Sequence, residues 1–190
     1  MSSELLNKNQ KKELLKIARQ TVEDYVRGGR VPEFNIKDER LKKQEGAFVT
    51  LHKGRQLRGC IGQIIPSDKP LWEVVRDMAI AAASEDYRFN PVAENELDKL
   101  DYEISVLSVP EEIDNWQNIK LGEEGVIVEK GRQGGVFLPQ VARETGWDLE
   151  EFLSQLCSQK AGLDPDCYKK TGDVKLKVFT AQVFSEKNIE

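Results

Sequence analysis

The sequence predicts an α+β fold: a mainly antiparallel sheet with flanking helices. Three observations predict it. Residues 47–52 with 57–61, and residues 126–129 with 135–138, are extended apolar runs joined by short glycine-containing turns, the pattern of hairpins. Three other stretches place apolar residues at helical spacing. The helices fall between groups of strands instead of after every strand, which disfavours a parallel sheet with crossover helices. The chain has 190 residues, 39% of them hydrophobic and 32% charged, so it can bury a sizeable core within one globular unit.

Each element has its own signal. Residues 9–27 carry Leu14, Ile17, Ala18, Val22, Tyr25 and Val26 on one helical face. Asn7 with Gln10 is suited to cap the start, and Gly28-Gly29 to end it. Residues 30–44 show no period and read as a long surface connection. Residues 47–52 form a strand, residues 53–55 a turn, and the strand holding Arg58 and Cys60 follows. Ser67-Asp68 is expected to cap a helix with Pro70 in its first turn. That helix buries Leu71, Val74, Val75, Met78, Ala79 and Ala82, and its small second half, residues 79–83, allows close packing. Residues 85–91 read as a polar, aromatic loop with an Asn-Pro turn.

After a short segment at 94–100, Tyr102, Ile104 and Val106 alternate with Glu103 and Ser105 in a strand that Pro110 stops. The loop at 130–134, with Arg132 at its tip, reads as a hairpin turn. It lacks the lysine and hydroxyl of a phosphate-binding loop. Residues 139–144 suit a short helical turn. Asp148 and Glu151 are suited to a capping box before Phe152, Leu153, Leu156 and Cys157, and Gly162 is suited to end that helix. Residues 174–184 form the last strand.

Composition excludes some classes. No apolar run approaches the ~20 residues of a membrane span, and residues 1–8 lack the layout of a secretion signal. Three cysteines form no disulfide framework, so reduced thiols and a cytoplasmic location are expected. Net charge is −5, divided as +6 over residues 1–58 and −11 over the rest. The basic third alternates with acids and carries no aromatic stacking set, so it reads as solvated surface more readily than as a nucleic-acid face.

One stretch stands out as a site. In Leu57-Arg58-Gly59-Cys60-Ile61-Gly62, strand alternation puts Arg58 and Cys60 on one face and Leu57, Gly59 and Ile61 on the other. Gly59 and Gly62 weaken a strand, so they imply a bulge or the close approach of a ligand or another backbone. Cys60 is the candidate nucleophile, and Arg58 the candidate to lower its pKa or hold an anionic group. The base is the weak point. A regular hairpin keeps His52, the one histidine, away from Cys60, leaving a bulge or Glu85 and Asp86 of the following loop to assist. The alternative is that Cys60 is a small core residue. Three cysteines and a histidine would suffice in number for zinc, but no paired C-x-x-C is present, so no metal and no cofactor is expected.

The same hexapeptide resembles the signature of the AMMECR-one domain family, the A component of the gene set called AmmeMemoRadiSam. The likeness continues at residues 46–50, 89–92, 103–108, 138–142, 146–148 and 160–163, and spans about residues 10–185. At Tyr168 the family's pattern leads us to expect tryptophan. The resemblance implies a single domain over 1–190, with larger and smaller lobes as subdomains and a cleft near the hexapeptide. It implies no established activity. Its implied partners, from gene neighbourhood, are a Memo-type protein and a radical SAM protein. Two functions stand open: an enzyme or substrate-handling subunit using Cys60 and Arg58, and a non-catalytic adaptor that binds protein or, less readily, RNA.

Overall fold

The computed structural model describes residues 4–170 and 172–189. The chain divides into two compact units, Met1–Val109 with Gln182–Glu190, and Pro110–Ala181. Each has its own apolar core.

In the first unit, α1 (Lys8–Gly28) starts with the expected capping box. Asn7 accepts from the Gln10 N–H at 3.0 Å, and Gln10 accepts from the Asn7 N–H at 2.9 Å. The helix stops at Gly29, whose φ of +64° is open to glycine without a side-chain clash. It buries Leu14, Leu15, Ile17, Ala18 and Val22. The stretch 30–44 is not all surface. A single-turn helix at Glu39–Lys42 turns Leu41 and Arg40 inward. Arg40 and Glu45, with side chains 5% and 4% exposed, form an ion pair at 2.6 Å, and Arg40 also donates to the Glu4 carbonyl. Burial of two paired charges leaves no apolar period to read.

β1 (Gly46–Lys53) and β2 (Gln56–Gln63) form the expected hairpin around a two-residue turn, with Gly54 at φ +65°. α2 (Leu71–Ser84) begins later than expected. Among the described residues no side chain caps it; Pro70 sits at the cap, and the Leu71 N–H donates to the Lys43 carbonyl at 2.9 Å. Ser67 instead bonds Gln63 and the Lys69 N–H. β3 (Leu100–Leu107) follows a short helical segment at Glu94–Lys99 and pairs antiparallel with β1.

The second unit contains β4 (Glu111–Ile113), β5 (Glu124–Lys130), β6 (Gln133–Phe137), α3 (Pro139–Thr145) and α4 (Leu149–Gln155). β7 (Lys175–Ser185) contributes its first part here, pairing with β4 and β5, and its end to the first unit beside β3. The pairs β1–β2, β1–β3, β4–β7, β5–β6 and β5–β7 are antiparallel and helices flank them, so the fold is α+β. β4 was not foreseen: three residues are too few to show a period. α4 starts as expected, with Asp148 accepting from the Glu151 N–H at 2.9 Å. It then widens into a π turn at Leu156–Lys160 ahead of Gly162.

The cysteines correct the sequence reading. Cys157 and Cys167 are joined in a disulfide, leaving Cys60 as the free thiol. The π turn and the reversal at Gly162 bring together two buried positions ten residues apart. A count of three cysteines carries no sign of that, and the expectation of reduced thiols fails. No helix among the described residues is long and apolar enough to cross a membrane.

Candidate functional site

The hairpin and β3 define two faces. Ala47, Val49 and Leu51 of β1, with Tyr102, Ile104 and Val106 of β3, are buried in the first unit's core. Gly59 belongs to this face: a Cβ there would lie 2.1 Å from the Ala82 carbonyl oxygen of α2. The small residues of α2 therefore admit the backbone of β2, and Gly59 is the counterpart of that approach. Gly62 has a different reason. Its missing Cβ leaves room for the Phe48 ring, 2.2 Å from where that atom would sit.

The opposite face is polar and half-buried. Registers across β2, β1 and β3 set its residues in three rows. Leu57 lies opposite His52 and Asp101, Cys60 opposite Thr50 and Glu103, and Gly62 opposite Phe48 and Ser105. The middle row presents a thiol, a hydroxyl and a carboxylate. The Thr50 hydroxyl donates to the Cys60 sulfur at 3.2 Å. Among the described residues, the Glu103 carboxylate takes no protein partner.

Simple alternation fails at Arg58. The register shifts opposite Leu51 and His52, so β2 carries a bulge there. The extra residue re-aims Arg58 and moves Leu57 onto the Cys60 face. Arg58 reaches Glu96, donating at 2.9 and 3.2 Å, and the Pro91 carbonyl at 3.3 Å. Arg58, with Lys53 assisting, holds the Glu96 carboxyl well below the usual carboxylate range. The bulge also places His52 on the Cys60 face, one cross-strand pair away along β1. Such diagonal neighbours lie roughly 7–8 Å apart between backbones.

The guanidinium acting on the sulfur belongs to Arg88, which sequence reasoning passed over. Cys60 turns its N–H and carbonyl toward the free edge of β2. The Asp86 carboxylate accepts from that N–H at 2.9 Å, and Arg88 donates to that carbonyl at 3.3 Å. Arg88 also clamps Asp86 with two bonds of 2.8 and 2.7 Å. Two side chains thus occupy the edge as a neighbouring strand would. The Asp86 side chain is only 2% exposed. Arg88 holds its carboxyl well below the usual range, with the Cys60 N–H adding to the effect. Glu85 caps α2 and is exposed. Asp-x-Arg directly after a helix was the available signal for this clasp.

Burial pushes the Cys60 thiol up, and the Thr50 hydrogen bond and Arg88 only partly oppose it. That shift favours the protonated thiol over the thiolate. Among the described residues no group of three or more His, Cys, Asp or Glu is placed to hold a metal ion.

The sheet face thus bears one free thiol and is backed by glycine-mediated helix packing. The AMMECR1 family profile matches residues 15–184, and the chain belongs to that family. A protein of Thermococcus gammatolerans is 48% identical over 185 residues, covering 91% of this chain and 88% of that protein. One of Methanothermobacter thermautotrophicus is 43% identical over 190 residues, covering 95% and 96%. The crystal structure of the uncharacterized protein PH0010 from Pyrococcus horikoshii superposes with a TM-score of 0.82 at 42% identity. It covers 92% of this chain and 90% of that one.

Proposed function

We propose that the protein is a binding module that holds a hydrogen-bond-donating group at the Cys60–Thr50–Glu103 row and does not use Cys60 as a nucleophile. The observation that carries this reading is the Glu103 carboxylate: half-buried, without a protein partner, and in line with Thr50 and the neutral thiol. A half-buried carboxylate gains most from a donor such as an amine or guanidinium. Arg58 and Arg88, the guanidiniums that bond to Glu96 and to the Cys60 edge, are already engaged by Glu96 and Asp86. The donor would come from a partner protein, for which the Memo-type and radical SAM proteins are the candidates, or from a substrate passed between them.

The test is a titration with n-butylguanidinium, followed by NMR at the amides of Thr50, Cys60 and Glu103, beside a measurement of Cys60 alkylation. We expect saturable shifts that Glu103→Gln abolishes, and slow alkylation. Rapid alkylation with a depressed thiol pKa would replace this reading with catalysis. One observation favours that second reading: the bulge that brings His52 onto the Cys60 face. In that case His52→Gln slows alkylation at pH 7.

A further inference from the structure

The basic amino-terminal third contains a second concave feature, independent of the hexapeptide. A cavity of about 400 Å³ lies between α1 and residues 34–36, within the size range of small-molecule sites. Ile17, Phe34 and Ile36 supply its apolar lining. Lys12, Lys16 and Gln20 stand along it at four-residue intervals on one stripe of α1, and Asn35 faces them from the connection. The wall is held in place. Gln10 donates to Asp38 at 3.0 Å, and the Phe34 ring meets Trp72 edge-on at 6.3 Å between centroids.

Among the described residues, the cations of this cavity are not held by carboxylates of the chain: neither Lys12 nor Lys16 has one within ion-pair distance, and neither Gln20 nor Asn35 has a side-chain partner. Two like charges four residues apart work against a helix. The comparable cavity of the second unit, about 480 Å³, differs: its Lys169, Lys170 and Lys175 are all bound to carboxylates. Glu13 also lines the α1 cavity, so two lysines and one carboxylate leave a single net positive charge. That balance suits a small anion with a single head group better than an extended polyanion.

We infer that this cavity binds a small amphipathic anion, a carboxylate or phosphate head on a short apolar body. The head lies between Lys12 and Lys16, with Gln20 and Asn35 donating to it. The apolar body covers Ile17, Phe34 and Ile36. Attraction at so exposed a site is screened by salt.

The experiment titrates the full chain with hexanoate, hexyl phosphate, hexylamine and acetate, observing Ile17, Phe34 and Ile36 by NMR. Hexanoate or hexyl phosphate is expected to saturate these signals, and the tighter of the two identifies the head group. Acetate and hexylamine are expected to bind about tenfold more weakly or not at all. Lys12→Gln with Lys16→Gln is expected to weaken binding about tenfold and to flatten its salt dependence, leaving the unfolding midpoint unchanged or raised. The inference is overturned if hexylamine binds as tightly as hexanoate, or if the double variant binds like the parent. It is equally overturned if sedimentation shows the groove closed by a second copy of the chain. None of these results bears on the Glu103 reading, whose probe is a cation at another face.

Discussion

Replacing Gly59 by alanine tests whether the hexapeptide is shaped by packing. The added Cβ would lie 2.1 Å from the Ala82 oxygen and 3.1 Å from its carbonyl carbon. Both are helix backbone, so no side chain can swing aside. α2 must shift by about 1 Å to restore ordinary contact, or the strand must twist away. Overpacking of this kind costs about 1–3 kcal/mol, and the alanine recovers about 0.5–1 kcal/mol of strand propensity. Because the obstacle is backbone, the upper half of the range applies, for a net loss of about 2 kcal/mol. In a chain of this size that lowers Tm by about 4–8 °C. Urea unfolding followed by circular dichroism measures it. Gly28→Ala is the control. It adds a methyl near the end of α1 with only the Arg30 Nε at 3.7 Å, and is expected to be neutral or stabilising by under about 1 kcal/mol. If Gly59→Ala matches the parent in midpoint and slope, α2 does not press on β2 as described, and the packing account of the motif falls.

Other outcomes follow from the same geometry. The Cys157–Cys167 disulfide closes a loop of about 11 residues, so reduction or a paired serine replacement is expected to cost about 3 kcal/mol. Thiol titration of the denatured, unreduced chain should return one thiol, and three would refute the crosslink. Asp86 and Glu96 both have depressed folded-state pKa values, so their stabilisation is complete above about pH 4–5 and lost as pH falls below that. Asp86→Asn and Glu96→Gln should each flatten the acid limb of a stability-against-pH curve, and an unchanged limb would refute the pairing. Asp86→Asn should also cost about 2 kcal/mol, since it weakens charge-assisted bonds to Arg88 and the Cys60 N–H. Iodoacetamide should modify Cys60 more slowly than a free thiol at pH 7, with the rate still rising above pH 9; Thr50→Val should slow it further.

The elements that carried a period were legible. α1 with its capping box, the two hairpins, and the alternation of Tyr102, Ile104 and Val106 all stand where the pattern put them. What was missed had no period to show. Arg40 and Glu45 are buried as a mutually neutralising pair, which reads in sequence as surface charge. The Cys157–Cys167 bond depends on a π turn, a local widening that residue order does not announce. At the site, alternation holds only while the ladder is regular. One extra residue at Arg58 moved Leu57 onto the Cys60 face, brought His52 there, and sent the guanidinium to Glu96. Gly59 and Gly62 did signal irregularity and close approach. The bulge nevertheless fell one residue before Gly59, where no glycine is needed.

The hexapeptide divides by physical role. Gly59 and Gly62 are explained by what presses on them, the Ala82 carbonyl and the Phe48 ring. Arg58 is explained by Glu96, and the edge of β2 by the Asp86–Arg88 clasp. These contacts fix the backbone of Cys60 from three sides: helix, cross-strand partner and edge. They leave its sulfur on the one polar face they do not cover. The result is a rigid frame around a row of three polar groups, thiol, hydroxyl and carboxylate, whose spacing is set by strand separation. The binding role proposed above would rest on complementarity to that row. Burial raises the Cys60 thiol pKa, and Arg88, itself held by Asp86, only partly opposes that shift.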